Sequence, residues 1–347
     1  MSKTKKITIF SLLGAFAIVL VLGSIFDLSI SKALADLTAG EYYSQNGFAI
    51  FFEAFGELIM FLLVSTSIGI LFFYVLKKPF KNKALNITSL IVLPLAGLAS
   101  TVYGVKNTLD ILTRYVSFSL QEFLDSILGK VAYVFLSVAI CALIFLLLTK
   151  LNDETIKKLL KWAIVVVVTC VAATLVVKGL KIIVGRTRFR AMVYEGDTAF
   201  EHYSPWFAIN TNKMASVFEG AGDYFKSFPS GHASAVASVF LITLLPQYLG
   251  CGKKTTIWLY AGATTLTLVV LLSRIIAGAH FFTDVYLGAC ITIFLTYIVN
   301  WATNKIAKKI QAKQCAKNDV ESNSQEAETK AEEKIEENAE AKAEAKE

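Results

Sequence analysis

The sequence predicts an all-α integral membrane protein with about eight transmembrane helices. Of its 347 residues, 55% are hydrophobic and 18% are charged, whereas an ordinary soluble domain is about 45–50% apolar and about 25% charged. A chain this apolar cannot cover itself with polar side chains, which excludes a soluble globular enzyme. The five cysteines have no paired spacing, so a fold held together by disulfides is excluded as well.

Eight stretches are long and apolar enough to cross a bilayer, which requires about 20 residues in a helix. The first stretch follows three lysines, as a signal peptide would, but no small-residue cleavage pattern comes after it. We therefore expect it to be retained as a span. The stretches lie near residues 7–28, 47–76, 85–105, 131–149, 160–184, 233–249, 255–276 and 281–302.

The distribution of lysine predicts the orientation of these spans. Lysines cluster near both termini and in every second connection, whereas the opposite loops, near 29–46, 106–130, 185–232 and 277–280, are less basic. Because basic loops stay in the cytoplasm, both termini are predicted to be cytoplasmic. We expect a multi-pass protein of the cell (inner or cytoplasmic) membrane.

The C-terminal part, residues 304–347, is predicted to be a basic and then acidic cytoplasmic tail. Residues 317–347 carry a net charge of −6, so the rest of the chain carries +13. The tail has no apolar stripe that could pack on a core, and disorder is expected there. The basic stretch Lys305–Lys317 is predicted to touch anionic lipid headgroups, and no nucleic acid is expected as a partner.

Three short polar segments hold most of the residues that could perform chemistry. They read KIIVGRTR at 181–188, PSGH at 229–232, and SR at 273–274 followed by HFFTD at 280–284. All three lie at predicted outer ends of helices. Since the orientation rests on the loop lysines alone, this agreement independently supports a common site.

The first and third segments supply cations for a phosphate group. Lys181 and Arg188 are seven positions apart, about two helical turns, and could share a face unless Gly185 ends the helix between them. Arg274 is a third cation. Arginine offers a planar fork that matches phosphate oxygens, and lysine offers a compact charge.

The second and third segments supply backbone amides and histidines. Ser230 and Gly231 lie where a helix is predicted to begin, and free amides with the positive dipole end favour an anion there. His280 and Asp284 are four apart, the spacing of one helix face. The carboxylate could then hold one ring nitrogen as N–H and leave the other free to attack phosphorus, while His232 protonates the departing oxygen.

No metal or other cofactor is predicted. The sequence contains neither HExxH nor a His/Cys set with zinc spacing, and the three segments lack the carboxylates of a two-metal phosphatase site. A covalent phosphohistidine route is predicted instead. The third histidine of the chain, His202, falls in an outer loop and is interpreted as solvated.

In this order, K-x6-R, PSGH and SR-x5-H-x3-D resemble the type 2 phosphatidic acid phosphatase superfamily, over about 104 residues from Lys181 to Asp284. The resemblance implies a six-helix catalytic core with an outward-facing site at residues 81–303. Two additional helices (1–80) would precede this core. In place of the proline that usually follows the first motif, this chain has Phe189, and activity is expected to survive the change.

The resemblance also implies a role for each motif residue. The nucleophile would be His280 with Asp284 as its carboxylate partner, and the acid would be His232. The phosphate would be held by Lys181, Arg188, Ser230, Gly231 and Arg274. The function implied is a membrane phosphatase acting on a lipid of the undecaprenyl diphosphate, phosphatidylglycerophosphate or phosphatidic acid type.

Two other functions remain open. A lipid-linked phosphotransferase would use the same phosphohistidine with another acceptor than water. A non-catalytic lipid binder or transporter would not need nucleophile, acid and cations together, and a transporter would place ionisable groups nearer the middle of the membrane.

Three further features lead to expectations. Glu53 and Glu57 lie in the second span, where a carboxylate is costly, and we expect one of them to pair with Lys178 or both to reach the outer interface. Residues 190–228 are expected to form an external cap, or else a plain surface loop. The stretch 107–130 is expected to be an amphipathic interfacial helix.

Overall fold

The computed structural model of the chain describes residues 3–38, 42–116, 118–194, 200, 203–209 and 224–344. It divides into two compact units, Met1–Val299 and Asn300–Glu347. All regular structure in the described ranges is helical. The helices are α1 (Lys3–Leu34), α2 (Gly47–Gly56), α3 (Leu58–Lys77), α4 (Lys83–Val116), α5 (Phe118–Asp125), α6 (Ile127–Thr149), α7 (Asp153–Val184), α8 (Phe189–Tyr194), α9 (Gly231–Val236), α10 (Leu245–Leu249), α11 (Lys253–Ile276) and α12 (Phe282–Glu344), with a 3₁₀ segment at Ala237–Leu244.

Among the residues described, eight helical segments are long and apolar enough to span a membrane, which confirms the predicted number. The second segment is built from α2 and α3, which meet at Glu57. The sixth combines α9, the 3₁₀ segment and α10. The candidate spans are Phe10–Leu34, Gly47–Lys77, Lys83–Tyr115, Ile127–Thr149, Asp153–Tyr194, Gly231–Leu249, Lys253–Ile276 and Phe282–Cys315.

The interfacial helix expected over 107–130 is shorter in the structure. The third span continues as helix α4 through Val116, and only Phe118–Asp125 form a separate helix, α5. No helix breaker follows residue 105, and an ion pair one turn apart, between Lys106 and Asp110, supports the continuation. The extension brings the last turns of α4 to the polar residues of α2.

The sixth span packs against α7 around a buried tryptophan. Trp162 of α7 lies among Ala163, Val166 and Leu241, all buried. Its indole N–H donates to the carbonyl oxygen of Leu241 at 2.8 Å. Leu241 belongs to the 3₁₀ segment, whose own hydrogen bonds are poorer than those of an α-helix, and the indole gives this carbonyl a well-placed donor.

Several helix ends meet at one place, and backbone hydrogen bonds join the loops there. The amide of Asp36, after α1, donates to the carbonyl of Ile276 at the end of α11 at 2.9 Å. The amide of Ser230 donates to the carbonyl of Asp284 at 3.0 Å. A Cβ at Gly288 would lie 2.5 Å from the Ser230 carbonyl oxygen, so only glycine lets α12 come this close to the start of α9.

The described residues of the C-terminal unit are helical, and the disorder expected for the tail stays a prediction. Residues from Asn300 onward continue α12 as helix as far as Glu344. This part is rich in Ala, Glu and Lys, which are among the residues that enter a helix most easily. The lipid contact of Lys305–Lys317 stays a prediction.

Candidate active site

The end of α7 and the turn after it carry the first predicted segment. Gly185 ends the helix with φ 58°, and its amide donates to the carbonyl of Lys181 at 3.2 Å. Of the two alternatives, the structure therefore has the helix end between Lys181 and Arg188, which do not share a helix face. The ammonium group of Lys181 donates to the backbone carbonyl of Lys226.

His280 is held by both ring nitrogens. It is 2% exposed, and its Nδ1 lies 2.7 Å from the carbonyl oxygen of Ser227 while its Nε2 lies 3.3 Å from Nη1 of Arg188. A carbonyl only accepts a hydrogen bond and a guanidinium only donates. These partners assign the proton to Nδ1 and the lone pair to Nε2, so Nε2 is the nitrogen that can act as a nucleophile.

The surroundings of His280 favour the neutral form of its ring. Burial and the positive charges of Arg188, Lys181 and Arg274 hold the pKa of His280 well below its usual range. A neutral imidazole retains the lone pair that nucleophilic attack requires.

Asp284 does not make the predicted hydrogen bond to His280. Helix α12 begins at Phe282, so His280 precedes the helix, and the Asp284 Oδ2 lies 3.9 Å from the His280 Nδ1. Oδ2 instead accepts from the hydroxyl of Ser227 at 2.5 Å and from the amide of Phe281 at 3.0 Å. Asp284 thus holds Ser227, whose carbonyl holds His280.

Arg186 is not among the predicted site residues, yet it is completely buried beside them. Its Nη1 lies 2.6 Å from Oδ1 of Asp284, its Nη2 lies 2.7 Å from Oδ2 of Asp27, and its Nε donates to the carbonyl of Ser204 at 2.9 Å. Asp27 belongs to α1 and also accepts from the amide of Thr283 at 2.8 Å. We call Asp27, Arg186, Thr283 and Asp284 the Arg186 cluster.

A second buried ion pair involves Arg274 at the end of α11. Its Nη1 lies 2.8 Å from Oε2 of Glu53 in α2, and the hydroxyl of Tyr115 donates to the same oxygen at 2.9 Å. Arg274 is 1% exposed, and its Nε has no hydrogen-bond partner within the described part of the chain. We call Glu53, Tyr115 and Arg274 the Arg274 cluster.

His232 contacts the second carboxylate of the same span. Its Nδ1 lies 3.1 Å from Oε1 of Glu57, and the side-chain amide of Asn107 donates to Oε2 of Glu57 at 3.0 Å. The His232 Nε2 is buried without a hydrogen-bond partner among the residues described. The predicted pairing with Lys178 is wrong, because the two carboxylates reach Arg274 and His232 and Lys178 is exposed.

Ser230 and Gly231 begin α9, as the sequence predicts. The hydroxyl oxygen of Ser230 accepts from the amide of Ala233 at 3.4 Å and caps the helix. Its hydrogen is not used by this contact, so donation to a phosphate stays a prediction. Gly231 lies in the first turn, where backbone amides have no acceptor within the helix.

A cavity of about 150 Å³ lies between these helix ends. Its walls carry four guanidinium groups and one carboxylate, a balance that suits a phosphate dianion. Arg188 lines this cavity and also lies 3.3 Å from the Nε2 of His280, whereas His280 itself is not among the lining residues. The lining residues are Glu53, Asn107, Ile111, Arg114, Arg188, Arg190, His232 and Arg274.

Phe189, at the position of the family's proline, begins the short helix α8. The first helical position is one where proline also fits, so the local backbone follows the course that proline would allow. The buried ring packs against Phe200 and Phe281, with ring centroids 5.5 and 5.7 Å away.

The cap predicted over 190–228 lies only partly within the described residues, and His202 lies outside them. In the described part, the indole N–H of Trp206 donates to the hydroxyl of Ser24 in α1 at 2.9 Å. The described part of this segment therefore contacts α1. In the described ranges no group of three His, Cys, Asp or Glu residues could hold a metal ion.

Comparison with known proteins gives one match. The model of the PAP2 superfamily matches residues 162–308, which include all three motifs and confirm the resemblance inferred from them. Searches of curated proteins and of solved structures returned no match. The family match and the apolar helices together indicate a membrane enzyme of the phosphatase type. Residues 162–308, with all three motifs, therefore match the PAP2 superfamily.

Proposed function

We propose that the chain is a metal-independent membrane phosphatase that hydrolyses a lipid phosphate or diphosphate through a phosphohistidine. The observation that carries the proposal is the tautomer of His280: its Nε2 presents a lone pair to Arg188, and Arg188 also lines a cationic cavity. A histidine that served only as a structural hydrogen bonder would have no reason to keep this nitrogen neutral among cations.

In the first step, the Nε2 of His280 attacks phosphorus and the P–N bond forms. The bond from phosphorus to the lipid oxygen, or to the terminal bridging oxygen of a diphosphate, breaks at the same time. His232 gives its Nε2 proton to that oxygen. The guanidinium groups of Arg188 and Arg274 stabilise the charge on the equatorial phosphate oxygens.

In the second step, water attacks the phosphohistidine. His232, neutral after the first step, takes a proton from the water as the new P–O bond forms. The P–N bond breaks, inorganic phosphate leaves, and both histidines return to their starting state. The mechanism needs no redox partner or other co-substrate.

The substrate class proposed is a lipid of the undecaprenyl diphosphate, phosphatidylglycerophosphate or phosphatidic acid type. The headgroup would enter the cavity while the hydrocarbon chain stays among the apolar helices. The loop lysines support an outward-facing site, toward the periplasm or exterior of the cell membrane, with both termini in the cytoplasm.

The test of the activity is phosphate release from these three lipids by purified protein in detergent with EDTA. Wild type should release phosphate, and His280→Ala should release none. Tyr260→Phe is a matched control, because Tyr260 contacts Tyr297 at 3.0 Å and lies outside the site. Release that survives His280→Ala, or that requires a divalent metal, would contradict the mechanism.

The same assay separates hydrolysis from transfer. A lipid with a labelled phosphate should yield labelled inorganic phosphate in the presence of other lipids and glycans. Label that appears in a lipid or glycan acceptor would instead identify a phosphotransferase, and binding of the lipid without loss of phosphate would identify a non-catalytic binder.

The orientation can be tested with cysteine labelling in intact cells. Cys251 is exposed between α10 and α11, on the predicted cytoplasmic side. A membrane-impermeant maleimide should label it only after the cells are permeabilised. A cysteine in place of Glu122, exposed on α5 at the predicted outer side, should be labelled without permeabilisation, and the opposite pattern would reverse the orientation.

A further inference from the structure

We infer that Glu57 is a positioning residue for the acid His232, so that a helix preceding the family domain completes the proton-transfer machinery. The inference rests on the proposed function. It starts from two contacts, the Glu57 Oε1 at 3.1 Å from the His232 Nδ1 and the Asn107 amide at 3.0 Å from the Glu57 Oε2.

The first contact fixes which nitrogen of His232 transfers the proton. A carboxylate only accepts hydrogen bonds, so the Nδ1 of His232 carries a hydrogen and donates a hydrogen bond to Glu57. Proton transfer to the substrate is then left to Nε2. This nitrogen is buried, has no protein partner within the described part of the chain, and belongs to a residue that lines the cavity. An acid for a leaving oxygen requires this arrangement.

The charge of Glu57 also sets the two histidines apart. An acid must enter the reaction as imidazolium, and an adjacent carboxylate stabilises that form. The Nδ1 of His280 donates to a neutral carbonyl instead, and the nearest carboxylate oxygen, of Asp284, lies 3.9 Å from that nitrogen, beyond hydrogen-bond distance. The two rings therefore differ in the hydrogen-bond acceptor at Nδ1, a carboxylate for His232 and a carbonyl for His280.

The second contact and the local packing hold Glu57 in place. Asn107 lies near the end of α4, and its amide leaves Glu57 one defined orientation. Glu57 lies at the break between α2 and α3, and Gly56 before it packs closely on α11: a Cβ at Gly56 would lie 3.1 Å from the Val270 side chain. None of Gly56, Glu57 and Asn107 falls within the family match at 162–308.

The test compares two substrates that differ in their need for an acid, octyl phosphate and 4-nitrophenyl phosphate. An alkoxide leaves poorly without a proton, whereas 4-nitrophenolate leaves unaided. Glu57→Gln should lower kcat/KM for octyl phosphate by about 10²-fold, and the loss for 4-nitrophenyl phosphate should be at least about tenfold smaller. His232→Asn should show the same selectivity with a larger loss.

The controls separate positioning from a general structural role. Glu122→Gln, on the exposed face of α5, should leave kcat/KM unchanged for both substrates. Should Glu57→Gln fold poorly, Asn107→Leu keeps the carboxylate but loosens it, and a smaller loss with the same selectivity is expected.

Three outcomes would contradict the inference. Equal losses on both substrates would show that Glu57 only supports the fold, and no loss on either would show that His232 does not need it. If wild type hydrolyses neither substrate and releases no phosphate from the three lipids either, the proposed phosphatase activity itself fails. The last outcome is recognisable without any variant.

Discussion

The Arg186 cluster and the Arg274 cluster use the same chemistry in two different ways. Each pairs a buried arginine with a carboxylate from a helix that precedes the family match: Asp27 of α1 for Arg186, and Glu53 of α2 for Arg274. Every nitrogen of Arg186 has a protein partner. Arg274 keeps its Nε without one in the described ranges and lines the cavity. A buried arginine with all its donors satisfied holds the scaffold, and one with donors left over is suited to an anion.

The largest effect expected from this contrast is on folding. Arg186→Leu leaves Asp27 and Asp284 buried without their cation, and breaking a buried pair in this way costs about 3–5 kcal/mol. We expect little folded protein, measured as the melting temperature in detergent. Lys130→Met, at an exposed position, should melt like wild type. A normal melting temperature for Arg186→Leu would remove the distinction between the clusters.

A large effect on turnover with a recoverable fold is expected for the other arginine. Arg274→Gln should lower kcat/KM by about 10²–10³-fold, the loss typical of removing one donor to a transition-state oxyanion. Glu53 then lacks its cation, so stability should fall too. Adding Glu53→Gln should restore the melting temperature and leave activity low. If the second substitution restored activity as well, Arg274 would be a structural residue like Arg186.

The charges around the nucleophile predict a shift in pH dependence. In the proposed mechanism His280 attacks in its neutral form, and burial together with neighbouring cations holds its pKa well below the usual range. Lys181→Met removes one cation, so the pKa rises toward its ordinary value. The acidic limb of kcat/KM for 4-nitrophenyl phosphate should therefore move to higher pH. An unchanged limb, or one at lower pH, would show that Lys181 does not act on His280.

The sequence predicts features that depend on neighbouring residues better than it predicts contacts between residues far apart in the chain. The apolar stretches and the three motifs are local patterns, and they predicted the number of candidate spans and the family segment. The spacing of His280 and Asp284 suggested a shared helix face, but the helix starts after His280. The Nδ1 of His280 donates to the Ser227 carbonyl instead.

The partners from the N-terminal helices could not be predicted from spacing. Asp27 and Arg186 are 159 positions apart, and Glu57 and Asn107 are 50 apart. A carboxylate in an apolar span signals that some partner exists, and Glu53 and Glu57 carried that signal. It does not say which cation or histidine the fold will bring to it, which is why Lys178, the nearest lysine to the first motif, was the wrong choice.

The smallest effect is expected where the scaffold and the nucleophile are linked. The hydroxyl of Ser227 donates to Asp284, and its carbonyl accepts from the Nδ1 of His280. Ser227→Ala removes only the hydroxyl, because the carbonyl belongs to the backbone and Asp284 keeps Arg186 and the Phe281 amide. We expect a loss of about 1 kcal/mol in stability and a less than about tenfold loss in kcat/KM. Asp284→Asn, measured beside it, should be more damaging because it also breaks the ion pair to Arg186. Abolished turnover in Ser227→Ala, as is expected for His280→Ala, would show that the Ser227 hydroxyl, and not its carbonyl, positions His280. It would also mean that Asp284 acts on His280 directly, which their separation of 3.9 Å argues against.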